Sequence, residues 1–223
     1  RPATNQQYNL SVSKVTAGNA FNFSATFRNQ QGYEKHDNNK SLGLNLRNTL
    51  AINKWLTADA GVYLNYSDQT GQNGMGMSAT DLLNDQLPFE SIYDENGNPL
   101  PLRNKQTAQQ KNDFKKYNLF SPDRIPANEI DMNLIATRSI KTRVNGKLNA
   151  KITPWLNYDI MFQYEKNTGK SEQLLDAGSY YMRDKFNTFS AVDNRGNTIY
   201  KLPLGNSFQN TAEYLRAYTF RNQ

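Results

Sequence analysis

Residues Ile140 to Ile152 read IKTRVNGKLNAKI. The even positions are Ile140, Thr142, Val144, Gly146, Leu148, Ala150 and Ile152, and the odd ones are Lys141, Arg143, Asn145, Lys147, Asn149 and Lys151. One parity is mostly apolar; the other has no apolar residue. A helix turning about 100° per residue would scatter the lysines around its circumference, whereas a strand at about 180° sends them all to one face. The stretch is therefore read as a β-strand with one greasy face.

Moving outward, Ile152 to Asp159 reads ITPWLNYD, and one hundred positions earlier Ile52 to Asp59 reads INKWLTAD. After the later corner the same parity continues through Leu156, Tyr158, Ile160, Phe162 and Tyr164, with Asn157, Asp159, Met161, Gln163 and Glu165 opposite. Around the earlier one, Leu42, Leu44, Leu46, Leu50 and Ile52 lead in, interrupted by Asn48, and Leu56, Ala58, Ala60, Val62, Leu64 and Tyr66 lead out. Each corner is thus a tight turn between paired strands, at Asn53-Lys54 and at Thr153-Pro154. Proline suits the second because its ring fixes φ and it has no ladder donor. A further pair precedes them: Tyr8, Leu10 and Val12 alternate with polar residues, Thr16 to Ala20 turns, and Phe21, Phe23, Ala25 and Phe27 alternate again. Strands are expected at about 6–15, 21–29, 41–52, 56–67, 131–152, 156–167 and 212–223.

Connection lengths decide more. In order they are Thr16 to Ala20, Gln30 to Lys40, Asn53 to Trp55, about Asp68 to Ile130, Thr153 to Trp155, and from Asn167 to about Thr211. Short and long alternate strictly, so the short turns belong at one end of the sheet and the long loops, about 68–130 and 168–211, at the other. Transmembrane barrels have this polarity, with short periplasmic turns and long extracellular loops. From Leu56 to Tyr66, ten steps of about 3.4 Å tilted by roughly 45° span about 24 Å, close to the roughly 25 Å apolar band of such barrels. Trp55 and Trp155 at one end, with Tyr66 and Tyr164 at the other, fit its two aromatic girdles; the other reading is strand-end aromatics packed on a core.

The loops carry their own order. Ser78 to Asp81 before Leu82-Leu83 resembles a helix start, and Ser171 with Leu174, Leu175, Tyr180, Tyr181 and Met182 points to a second short helix. Asp94-Glu95-Asn96-Gly97-Asn98 and Asp193-Asn194-Arg195-Gly196-Asn197 are read as turns in which Asn-Gly or Arg-Gly supplies positive φ. The first has an EF-hand flavour, but its glycine comes one position early and the distal glutamate is missing. Gly71 to Gly76 is glycine-rich without the Lys-Ser/Thr of a phosphate loop, and is read as loop.

Composition narrows the function classes. The chain has 223 residues, no cysteine and one histidine, His36. Thiolate metal sites, disulfides, cysteine nucleophiles and multi-histidine zinc sites are therefore excluded, and neither a cofactor nor a metal is expected. No 18-residue apolar run exists, which leaves strands as the only route across a membrane. The net charge of +6 comes from 26 Lys plus Arg against 20 Asp plus Glu. These charges lie along strands opposite an apolar face instead of in one exposed cluster, so nucleic acid is not an expected partner. Arg1 opens the chain without methionine or signal peptide, and the chain is expected to be a piece of something longer.

Several segments, taken in order, resemble a known family. Gln7 to Ser13, then Phe23 to Tyr33, closely resemble the first barrel strands of SusC/RagA-type TonB-dependent outer-membrane transporters. Trp55-Leu56 with Val62 to Ser67 looks like the family's next hairpin, and Leu87-Pro88-Phe89 with Tyr93 to Pro99 like its first large extracellular loop. The resemblance runs over nearly the whole chain. It implies an all-β fold: an antiparallel transmembrane β-barrel segment, part of a 22-stranded barrel, with short helices in long extracellular loops and a plug domain outside this segment. It implies import of oligosaccharides or peptides across the outer membrane of a Gram-negative bacterium. TonB would supply energy through a region outside this segment, and a SusD-like surface lipoprotein would cover the extracellular side. Six or seven strands cannot close a barrel of that radius, so the segment is not expected to fold alone.

If the apolar parity faces outer-membrane lipid, then Arg47, Asp59, Tyr63, Arg143, Lys147, Asp159 and Glu165 face the lumen, together with Lys151. Charges there are wetted, whereas on the lipid face each would cost several kcal/mol near the midplane. They are candidates for cargo contact, against plug packing or plain solvation. In the loops, Phe89, Tyr93, Tyr180, Tyr181 and Phe189 are candidates to stack on sugars or grip peptides, against packing the loops together or meeting a lipoprotein lid. The competing function is a soluble β-sandwich that binds glycans or acts as an adhesin, with the apolar parity as its core. Enzyme activity is not expected, since a hydrolase would have to draw its base from the single histidine.

Overall fold

Alternation with a shared greasy parity requires neighbouring strands to pair in register, and the computed structural model shows this across seven strands. It describes residues 2–72, 90–102 and 107–223. Strands β1 (Thr4–Thr16), β2 (Asn19–Gln31), β3 (Asn38–Ala51), β4 (Leu56–Gln72), β5 (Asn133–Thr153) and β6 (Leu156–Leu175) pair in sequence order. After a small hairpin, β7 (Ser190–Val192) with β8 (Thr198–Tyr200), strand β9 (Ser207–Asn222) pairs with β6 to complete the sheet. Every pairing is antiparallel. The register carries one parity across the whole sheet: Val12 faces Phe23, Phe23 faces Leu46, Leu46 faces Val62, Val62 faces Val144, and Val144 faces Tyr164, which faces Tyr218. A slip of one residue in any of these strands would have put its polar set among these side chains, on β5 the row of Lys141, Arg143 and Lys147.

Among the described residues no layer covers the apolar face. On it Leu46 is 38% exposed, Val62 43%, Phe162 46% and Leu10 60%. Among the described residues, the second sheet that a sandwich requires is absent, and the only other sheet is the two-stranded β7–β8 hairpin. Large aliphatic side chains half open on a continuous face mark a surface made for an apolar partner.

Three tight turns close one end. In the first, Thr16 pairs with Asn19 around Ala17-Gly18, so it is shorter than the expected Thr16 to Ala20; Gly18 sits at φ 82°, where a Cβ would be strained. In the second, the Asn53 side chain accepts from the backbone N–H groups of Trp55 and Leu56 at 2.9 and 2.8 Å. The third pairs Thr153 with Leu156 across Pro154-Trp155, after a register shift between Lys151 and Thr153. The other end carries the connections 32–37, 73–132 and 176–206.

The strands outrun their expected ends on the loop side. Residues 68–72, 168–175 and 207–211, expected in loops, are strand, and β5 begins at Asn133. At about 3.4 Å per residue the 21 residues of β5 reach about 70 Å, about twice what a tilted strand needs to cross a 25 Å band. In these extensions apolar residues fall on both faces, as at Leu134-Ile135 and Leu174-Leu175, so alternation disappears, yet the backbone ladder needs no side-chain pattern to continue. The same effect overturns the helix expected from Ser171: Ser171 to Leu175 belongs to β6, and the helix starts at Tyr180.

The buried core lies in the loops. Helix α1 (Ala108–Lys116) is opened by a capping box between Thr107 and Gln110. The single-turn α2 (Pro126–Glu129) precedes β5, and α3 (Tyr180–Thr188) is capped by Ser179, whose hydroxyl accepts from the Met182 N–H. Leu175, Met182 and Phe186 are buried together, with Phe120, Tyr181, Tyr200 and Leu202 around them. Both Asp-x-x-Gly-Asn turns are present, with Gly97 at φ 82° and Gly196 at φ 83°. The helix start expected at Ser78 to Leu83 lies outside the described residues, as do residues 73–76 of the glycine-rich stretch.

Candidate functional site

The polar face of the sheet is where the repeated corner acquires chemistry. Asp59 stands three residues past Leu56, on the odd parity, opposite Thr49. Its Oδ1 accepts from the Thr49 hydroxyl at 2.6 Å and from Arg47 Nε at 3.1 Å. One hundred positions on, Asp159 Oδ1 accepts from Asn149 Nδ2 at 2.6 Å, and its Oδ2 lies 3.2 Å from Lys147 Nζ. The repeat therefore reaches upstream of the turn. A cation, a small hydrogen-bond donor and the corner aspartate form one clamp, built twice, that locks the polar side of each hairpin. Only the aspartate of this clamp is visible in the quoted corners; Thr49 and Asn149 were not singled out by alternation. Extending the same hundred-residue offset three positions upstream of Ile52 and Ile152 would have found them.

Further along the same face Arg143 pairs with Glu165 at 3.2 Å and stands opposite Tyr63. Arg47, Asp59, Tyr63, Arg143, Lys147, Asp159 and Glu165 thus share one face, as their parity requires. Arg28 on β2 adds a donor pair to Gln7 Oε1 at 2.8 and 3.2 Å. Between β2, β3 and β4 the face opens into a depression of about 340 Å³ lined by Thr26, Arg28, Gly43, Asn45, Tyr63 and Asn65. Its lining is an array of amides, hydroxyls, one guanidinium and one phenol, groups that hydrogen-bond to hydroxyl-rich or peptide ligands.

At the loop end the expected aromatics divide. Tyr180 covers Leu102 and lies under the Arg124 guanidinium, 4.8 Å from its ring centroid, while Tyr181 packs on the Leu175–Met182–Phe186 core. These two hold the loops together. Tyr93 bridges to Pro99 and is half exposed, and Phe189, the C-cap of α3, is equally exposed. Phe89 lies outside the described residues. Arg183 ties the loops to each other, donating to the carbonyls of Gly178, Ser121 and Asp123, and Asn187 exchanges two hydrogen bonds with the Phe120 backbone at 3.0 and 2.9 Å.

Glu129 is buried beneath this assembly. Its Oε1 accepts from the Tyr180 N–H at 2.8 Å and lies 3.7 Å from Arg183. Burial pushes its carboxyl above the ordinary 4.5, outweighing the Tyr180 N–H and the Arg183 and Arg124 guanidiniums. Asp131 is the opposite case. Lys35 Nζ at 2.7 Å and His36 Nε2 at 2.6 Å latch the 32–37 loop to the foot of β5, and these hydrogen bonds hold its carboxyl below the ordinary 3.8. His36, at φ 69°, is thereby engaged as a structural partner. Asp94 likewise accepts from Asn98 Nδ2 and the Asn96 and Asn98 N–H groups, which lower its pKa and leave a turn where a calcium loop had a faint likeness. Among the described residues no group of three or more His, Cys, Asp or Glu could hold a metal ion.

No protein-family model and no curated protein sequence matches the chain. Its fold is similar to a solved chain of the RagAB peptide importer in the closed-closed state, with a TM-score of 0.56 and 16% sequence identity. The match covers 76% of this chain and 18% of that one, so the chain spans under a fifth of the length of that solved structure. The fold is all-β, a seven-stranded antiparallel sheet with helices in the loops at one end, similar to part of that solved chain.

Proposed function

We propose that the chain forms part of the barrel of a SusC/RagA-type, TonB-dependent importer in the outer membrane of a Gram-negative bacterium. The observation that carries this reading is the uncovered apolar parity, continuous across β1 to β6 and into β9, set against a polar face locked by ion pairs. A lipid-facing outside and a wetted lumen account for both faces at once. In this reading the depression at Tyr63 and the clamps at Asp59 and Asp159 line the passage. Cargo is an oligosaccharide or a peptide, both of which present hydroxyls or amides to such a lining. Tyr93 and Phe189 belong to the platform on which a SusD-like surface lipoprotein closes, and TonB acts through a region outside these residues. No catalytic role is assigned to any residue.

The test is uptake. Cells lacking the gene should lose growth on the oligosaccharide or peptide that the full-length protein imports. The defect should be restored by the gene only when the proton gradient and TonB are intact. Restoration in cells without TonB would remove the reading. The soluble glycan-binding alternative requires the protein to stay monodisperse without detergent and to bind sugar in that state.

A further inference from the structure

On the face assigned to lipid, Lys166 of β6 and Arg216 of β9 stand directly opposite each other in the register. Like charges directly across a strand pair repel. Among the described residues neither takes part in an ion pair or a side-chain hydrogen bond. The neighbouring positions of that parity are uncharged: Tyr164 and Tyr218 one rung toward the turns, Thr168 and Tyr214 one rung toward the loops, and Thr142 across on β5. The two tyrosines below are in contact, their ring centroids 5.1 Å apart.

The contrast with the next charged rung is informative. Arg138 and Lys170 also face outward, but each has a carboxylate: Asp68 at 3.5 Å for Arg138, and Glu172 for Lys170. From the Arg138–Lys170 rung toward Lys166 and Arg216 runs an open groove of about 590 Å³, lined by Tyr66, Arg138, Ile140, Thr168, Lys170 and Tyr214 among others. Lys166 and Arg216 therefore sit at the loop-side limit of the apolar band, beside an aromatic groove, with a charge that this sheet leaves uncompensated. At that depth long cationic side chains reach the interface, where the available anions are lipid headgroups.

We infer that Lys166 and Arg216 form a binding site for the phosphate of a lipid headgroup, with the Tyr66–Tyr214 groove receiving the remainder of the headgroup. The inference rests on the outward orientation of the apolar parity proposed above. An arginine fork and an ammonium on opposite strands can share one phosphate, each donating to its oxygens, and the repulsion between them becomes a shared attraction. A zwitterionic headgroup offers less, because its own cation competes for the phosphate.

The experiment uses the full-length protein purified in mild detergent and placed in phosphatidylcholine nanodiscs with and without phosphatidylglycerol. Bound lipid is read by native mass spectrometry. The parent should retain phosphatidylglycerol in preference to phosphatidylcholine. The double variant K166Q/R216Q should bind it about thirtyfold more weakly, and K141Q, which removes a cation from the opposite face, should match the parent. Equal retention by K166Q/R216Q and the parent would overturn the site, and would mean that a carboxylate from another segment neutralises the pair. Displacement of the lipid by inorganic phosphate would overturn the lipid assignment in favour of a soluble anion. If the parent binds no lipid and stays monodisperse without detergent, the orientation itself falls, a result distinct from failure of the site alone.

Discussion

Asp59 and Asp159 perform the same task one hundred positions apart, and the chemistry of each partner sets what a substitution costs. Asp59→Asn keeps an acceptor for the Thr49 hydroxyl and loses only the Arg47 pair, whereas Asp59→Ala loses both. Because Arg47 is largely solvated, the ion pair contributes under about 1 kcal/mol. Thermal unfolding in detergent should therefore rank the parent and Asp59→Asn close together, with Asp59→Ala below them. Glu129 and Asp131 give opposite pH signs. Glu129 has its folded pKa raised, so the folded loops bind a proton more tightly than the unfolded chain, and loop docking weakens as pH rises from about 4.5 through the folded value. Glu129→Gln keeps an acceptor for the Tyr180 N–H without the buried charge. Hydrogen exchange of α3 should show it at least as protected as the parent at neutral pH, and Glu129→Ala less protected. Asp131 has its folded pKa lowered, so its latch contributes above about 3.8 and is lost as pH falls through the lower folded value. Protease access to residues 32–37 should rise only in that acid window.

At the scale of elements, parity decides outcome more than position. Val62 and Asn65 are three residues apart on β4, on opposite faces. A lysine at Val62 meets the apolar surroundings near the middle of the band and costs about 2–4 kcal/mol, while a lysine at Asn65 is wetted. Membrane fractions should hold far less Val62→Lys protein than Asn65→Lys protein; equal amounts would count against the lipid-facing assignment. The loops behave as a separate small core. Phe186 is 1% exposed and touches Phe120, 5.4 Å between ring centroids. Phe186→Ala, at about 3–5 kcal/mol, should abolish exchange protection across α3 while the strands keep theirs.

For the whole molecule, the decisive quantity is the ratio of uncovered to buried apolar surface. The described core holds Leu102, Leu175, Met182 and Phe186, all at the loop end, while the sheet buries almost nothing against a second layer. The outer ladders of β1 and β9 have no partner within the described residues. A sheet with two open edges and a bare apolar face pairs with whatever edge it meets. Expressed by itself without detergent, this 223-residue segment should appear as aggregate in size-exclusion chromatography.

Fold class was legible in the residues because a period of two is a local property: IKTRVNGKLNAKI determines its own faces before any partner is known. The tight turns and their polarity followed from spacing, and the shared face of Arg47, Asp59, Tyr63, Arg143, Lys147, Asp159 and Glu165 followed from parity alone. What only the tertiary structure decided is non-local. Strand ends at Gln72, Leu175 and Ser207 depend on backbone pairing that persists where side-chain contrast has vanished. Thr49, Asn149 and Arg28 acquire partners only through register across strands, and Tyr180, Tyr181 and Glu129 become loop supports only when segments some fifty residues apart meet. The opposition of Lys166 and Arg216 is the clearest case: each is unremarkable in its own strand, and the register of β6 with β9 alone makes them a pair.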